Sequence, residues 1–160
     1  MSHTTHLDFA VPAAYQSLLA AGKAAGTAAI AAGLDLLLVE LVRIRASQLN
    51  GCAFCLRMHT RDALAHGEST DRLAVLPAWR DSDYFSAAER AALCIAEEVT
   101  LIGDRRNVSL AEGETDLALS ALTDEQRAVV GWLAIVINAF NRVAIVSRYD
   151  VAPAVASRVN

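Results

Sequence analysis

Cysteine is scarce in this chain of 160 residues, with three in all. That is too few for the disulfide framework of a small secreted domain, so a close pair among them points to redox catalysis or metal ligation. Proline is just as rare, with three residues, and no segment alternates like a strand between hairpin turns, which leaves helix as the dominant state. Aromatic residues make up 6% of the chain and no basic cluster interrupts it; 14 Lys and Arg against 18 Asp and Glu give a formal charge of −4. A nucleic-acid or anionic-membrane partner is therefore not expected. The longest apolar run, Ala128 to Ile137, stops at Asn138, short of the roughly 20 residues a spanning helix needs. The opening residues Met1-Ser2-His3-Thr4-Thr5-His6 lack the basic start and apolar stretch of a signal peptide, so a cytoplasmic location is expected.

What the chain has in abundance is apolar side chain: 54% of residues, with a mean hydropathy of +0.33. This is high for a soluble monomer and predicts that subunit contacts cover part of the helix surface in a homo-oligomer. The length suits one domain, residues 1–160, with a sizeable core. Local signals then divide it into helices. An Ala-rich helix is predicted from about Ala13 to Gly33, with a break near Gly22 or Gly26. Asp35 is placed to cap a helix over Leu36 to Leu49. Asn50-Gly51 marks a break, because Gly tolerates the left-handed conformation that ends helices. A further helix runs from Cys52 to His66 and stops at Gly67. Ser69 or Thr70 can cap a short helix before Pro77. Capping boxes at Ser86 and Thr123 open helices to about Ile102 and Tyr149. Between them lie a polar loop, Gly103 to Glu114, and a short helix, Thr115 to Leu122. The expected fold is all-α.

The densest chemistry lies in Cys52-Ala53-Phe54-Cys55 with His59 four residues on. At 3.6 residues per turn these three stand at i, i+3 and i+7, so both sulfurs and the imidazole share one helical face. In the first turn the free N–H groups and the helix dipole favour a thiolate at Cys52, lowering a thiol pKa from about 8.5. Two such cysteines can cycle between dithiol and disulfide, one attacking a substrate and the other resolving the product. A zinc site is the chemical rival, with Cys52, Cys55 and His59 as ligands and Glu40 or His66 as a fourth.

Glu40 interrupts the apolar run Leu36-Leu37-Leu38-Val39-Glu40-Leu41-Val42, where a helix normally buries itself. If Glu40 is buried, desolvation raises its pKa and makes it a proton acceptor near neutrality. The alternative is a pair with Arg43 on a solvated stripe that continues through Ser47 and Asn50. Arg43, Arg45 and Arg57 either pair locally or line a site. Cys94 sits among apolar neighbours and reads as a packing residue. Trp79, Trp132 and Phe140 read as core or interface.

The segment from Glu40 to Thr60, with the spacing Glu-x11-Cys-x2-Cys-x3-His, followed by Ala65-His66-Gly67-Glu68, closely resembles the core of the AhpD-like alkylhydroperoxidases of the carboxymuconolactone decarboxylase superfamily. The resemblance extends through Trp79-Arg80-Asp81, Phe85 to Thr100 and Ile137 to Arg142. It implies an all-α helical bundle assembling as trimers or hexamers, and a thiol-dependent peroxidase without haem, flavin or metal. Carried over, Cys55 is the peroxidatic cysteine and Cys52 the resolving one, forming a Cys52–Cys55 disulfide that an external dithiol, a reductant protein or a small molecule, must reduce. Glu40 and His59, bridged by a water, form the proton relay. One position departs from the pattern: peroxidase members carry a histidine immediately before the second cysteine, and Phe54 stands there. The decarboxylase branch generally lacks the cysteine pair. A lactone decarboxylase or isomerase using Glu40 and His59 as acid and base, and a non-catalytic assembly module, are the alternative readings.

Overall fold

The structure is a computed structural model and describes residues 5–103 and 120–153. Among these residues all regular structure is helical. The helices are α1 (Leu7–Ala10), α2 (Pro12–Ala31), α3 (Leu36–Asn50), α4 (Ala53–Ala65), α5 (Thr70–Val75), a 3₁₀ segment (Leu76–Asp81), α6 (Ala87–Thr100) and α7 (Asp124–Val146).

The starts of these helices follow from local chemistry. The Asp35 carboxylate accepts the Leu37 N–H at 2.8 Å and caps α3. Ser69 caps α5 in the same way. Capping boxes form at Ser86 with Glu89 and at Thr123 with Gln126, so two otherwise orphaned donors are satisfied at each helix entry. Helices α6 and α7 end earlier than the sequence suggests, at Thr100 and Val146. The predicted break in α2 does not occur: Pro12 opens the helix and it runs unbroken past Gly22 and Gly26. Gly22 serves packing instead, since a Cβ there would stand 3.1 Å from the Phe140 ring of α7. The predicted polar loop and short helix between Gly103 and Leu122 fall almost wholly outside the described residues.

Helix α3 is the centre of the molecule. Leu38, Val39, Leu41, Val42, Ile44 and Ala46 are all buried, which covers most of its circumference, as expected of a core helix. It packs against α4 and α6 on some faces and α7 on another, while α2 lies against α7. Small residues set the spacing on one side: Ala25 and Ala29 of α2, Ala91 and Ala96 of α6, and Ala134 of α7 meet Leu38 and Val42. A second cluster joins Leu41 and Ile44 to Leu76, Trp79, Phe85 and Leu93. Each fully buried Leu or Ile here contributes about 1.5–3 kcal/mol relative to exposure. Helix α7 is long and apolar enough to cross a bilayer by length and composition, and half of its most apolar window is buried inside this fold. Its composition is therefore that of a core helix with one partly exposed side, on which Trp132 is 60% exposed.

Candidate active site

The site begins with the joint between α3 and α4. Gly51 ends α3 at φ +66°, in the left-handed region that costs other residues a steric penalty. The turn lets the Cys52 N–H bond the Ser47 carbonyl at 3.0 Å, closing the helix end. Cys52 is thus the residue before the first turn of α4, at its N-cap, and Cys55 occupies that first turn. His59 follows one turn later on the same face. Cys52, Cys55 and His59 are all buried, and both cysteines are free thiols.

Glu40 reaches this face from α3 and is 3% exposed. Its two oxygens have separate partners: Oε2 meets His59 Nδ1 at 2.8 Å and Oε1 accepts from Arg43 Nη1 at 2.6 Å. Both readings of Glu40 are therefore partly realised, because it is buried and it pairs with Arg43. The solvated stripe is not, since Ser47 is wholly buried. The expected rise in the Glu40 pKa is also overturned. Burial does push it up, but the hydrogen bond and charge of His59, together with Arg43, outweigh burial and leave it below the ordinary value. Glu40 thus stays ionised and acts as an acceptor, so Nδ1 of His59 donates to it. The contact between the Glu40 carboxylate and the His59 ring is direct.

The Cys55 thiol is not lowered toward a thiolate. Burial, with the neighbouring Cys52 thiol, pushes Cys55 up to about 12, while a hydrogen bond from Asn141 pulls the other way. At neutral pH the Cys55 thiol is held protonated. Helix position alone does not activate Cys55, because desolvation of a buried sulfur outweighs the dipole.

Asn141 is the site residue the sequence reading did not single out. Its Oδ1 accepts from Asn50 Nδ2 at 2.8 Å, its Nδ2 donates to Ser47 Oγ at 3.0 Å, and it is fully buried. Asn138, one turn earlier, also accepts from Asn50 Nδ2, at 2.9 Å. The available signal was two asparagines at i and i+3 within an otherwise apolar helix, where buried amides demand partners.

A cavity of about 440 Å³ opens in front of these groups, between α2, α4 and α7. Cys55, His59 and Arg43 line it; Cys52 and Glu40 are not among the lining residues. Its remaining walls are mainly apolar, including Met58, Val136 and Phe140. After α7 the chain turns through Arg148, at φ +50°, and brings the Tyr149 ring edge-on to Phe54 at 4.9 Å. Phe54 is thereby part of the apolar wall. The zinc set does not assemble. The one group of metal-ligating type that comes together among the described residues is Glu40, His59 and Asp62, without either cysteine. His66 is exposed, with its ring on the Asp62 carbonyl.

Residues 10–98, more than half of the chain, match the carboxymuconolactone decarboxylase family. A segment of 67 residues is 51% identical to the uncharacterized protein YdfG of Bacillus subtilis (strain 168), covering 42% of this chain and 46% of that protein. The chain thus matches somewhat less than half the length of that curated relative. The fold is shared with a crystal structure of a protein of unknown function from Agrobacterium tumefaciens, to which a role as the antioxidant defence protein AhpD has been suggested. The TM-score is 0.80 at 25% identity, over 94% of this chain and 99% of that one. With its motif-bearing helices in this arrangement, the chain belongs to the carboxymuconolactone decarboxylase family and has the all-α, AhpD-like fold.

Proposed function

We propose that the protein is a thiol-dependent peroxidase that reduces organic hydroperoxides through Cys55 and Cys52. The observation that carries this reading is that Cys55 and His59 open together on one apolar cavity, while an ionised Glu40 holds the imidazole from behind. Nε2 of His59 takes the Cys55 proton, directly or through water, as the peroxide arrives. The thiolate then attacks the terminal peroxide oxygen. An S–O bond forms, the O–O bond breaks, and the departing alkoxide takes the proton from His59 to leave as an alcohol. Glu40 stabilises the transient imidazolium without itself taking the proton. The Cys52 thiol next attacks the sulfenic sulfur of Cys55, forming the disulfide and releasing water. An external dithiol reduces that disulfide and is itself oxidised, so the cycle requires no metal or organic cofactor.

The same reading treats residues 1–160 as one domain working in the cytoplasm as a trimer or hexamer. Subunit contacts would then cover exposed apolar side chains such as Trp132 and Ile135.

The test is a limiting pulse of hydroperoxide on reduced protein, followed by thiol titration and mass spectrometry. The expected result is loss of two thiols per peroxide with a Cys52–Cys55 disulfide. Cys52→Ser should still react once and stall as a sulfenic acid at Cys55. Thiols left intact by the pulse would end the proposal. Turnover of a carboxylated lactone by a double Cys→Ser variant would put acid–base chemistry by His59 and Glu40 in its place.

A further inference from the structure

The cavity is apolar in its walls but not neutral in charge. Two cations line it, Arg43 and Lys23, and no Asp or Glu does. This is unexpected in a chain whose formal charge is −4. Arg43 is partly compensated, since its Nη1 is bonded to Glu40 Oε1 behind the cavity wall. The other guanidinium nitrogen, Nη2, lies against Gly26 of α2. Lys23 stands one helical turn before Gly26 on α2, so both cationic residues line the cavity where α2 faces Arg43. Among the described residues no carboxylate pairs with Lys23.

A cation at the rim of an apolar cavity attracts anions more strongly than it would in open water, because the low-dielectric wall screens it poorly. The complementary ligand carries one anionic group and an apolar body. A volume of about 440 Å³ lies within the range of small-molecule sites. Resting on the peroxidase reading above, we infer that the substrate is an amphipathic hydroperoxide with a carboxylate. The carboxylate pairs with Lys23 and Arg43, the hydrocarbon body lies against Val136 and Phe140, and the peroxide oxygens face Cys55. The chemical step is unchanged: the O–O bond breaks, oxygen transfers to the Cys55 sulfur, and the product leaves as a hydroxy acid carrying the proton from His59.

The experiment compares a medium-chain hydroperoxide bearing a terminal carboxylate with its methyl ester, reading the second-order loss of Cys55 thiol in the reduced full-length protein. The acid should react on the order of tenfold faster than the ester, corresponding to one well-placed ion pair. That acid-to-ester ratio should fall several-fold in Lys23→Gln and drop below one in Lys23→Glu. Equal rates for acid and ester, or a ratio unmoved by both substitutions, would overturn the inference while leaving the peroxidase intact. Thiols inert to both compounds would instead remove the peroxidase reading, and this inference with it.

Discussion

Glu40 on α3 and Glu97 on α6 are both buried, at 3% and 7% exposure, and both contact arginine. Glu97 accepts from Arg45 Nε at 2.7 Å, from Trp79 Nε1 at 2.8 Å and from Arg80. Burial raises its pKa, and Trp79, Arg80 and Arg45 together bring it below the ordinary value. Glu40 ends on the same side by a similar balance, with His59 as the leading opponent of burial. The difference lies in the partners. The donors around Glu97 are two guanidinium groups and an indole N–H, so that cluster ties α3, the 3₁₀ segment and α6 together. Glu40 divides its two oxygens between a guanidinium and an imidazole, the side-chain type suited to passing a proton. Cys94, one turn before Glu97, is likewise buried and pushed up chiefly by burial, but it does not line the cavity that Cys55 and His59 share. Residue type therefore does not separate the two clusters; a titratable partner and an open cavity do.

The sharpest way to break this comparison is to exchange the roles of the cysteines. Cys55→Ser should reduce peroxide consumption to the background rate, whereas Cys94→Ala should leave it within about twofold, because a small buried thiol outside the cavity serves packing. Stopped-flow thiol loss checks both, and a strong effect at Cys94 would erase the distinction.

The carboxylates should separate next, with activity and stability affected in opposite order. Glu40→Gln should slow the reaction about 100-fold, the scale of a compromised general base, with a modest loss of stability. Glu97→Ala should leave the rate within about twofold in the folded protein. It should destabilise the fold by about 2–3 kcal/mol, the usual cost of orphaning a buried pair discounted for the half-exposed Arg80. Denaturant melts read beside rate measurements decide this; a rate defect at Glu97 equal to that at Glu40 would contradict it.

The smallest expected effect is in acid stability, where the two carboxylates should behave alike. Each has a folded pKa below its unfolded value, so in the interval between them the unfolded chain binds more protons and stability rises with pH. The contribution is complete above about pH 4.3 and is lost as pH falls through the folded values. Wild-type stability should therefore decline below that point, and Glu40→Gln and Glu97→Gln should each flatten the decline. An unchanged acid limb in either variant would show that its carboxylate is not held ionised in the fold.

Much of the architecture was legible because its causes act over a few residues. Asp35, Ser86 and Thr123 cap the helices they precede, Gly51 ends α3, and the spacing of Cys52, Cys55 and His59 puts them on one face. The misjudged features depended on distant partners. Gly22 or Gly26 read as a break, yet α2 runs through both, and Gly22 instead gives the Phe140 ring of α7 the space a Cβ would fill. Asn141 passed unmarked because its bond to Ser47 spans 94 positions. Trp132 read as core or interface, and its 60% exposure in the single chain removes only the core reading.

By itself, then, the chain determined the helical class, the entry points of the helices and the set of reactive side chains, since propensity, capping and periodicity are properties of neighbours. Tertiary structure alone decided their charge and access. It set Glu40 against His59 and Arg43, so that the carboxylate is ionised although buried. It enclosed Cys55 so that its thiol is held protonated, and it opened one apolar cavity onto Cys55 and His59. Those outcomes depend on desolvation and on charges brought together from separate helices, and no local pattern of residues records the dielectric that surrounds a group once the chain has folded.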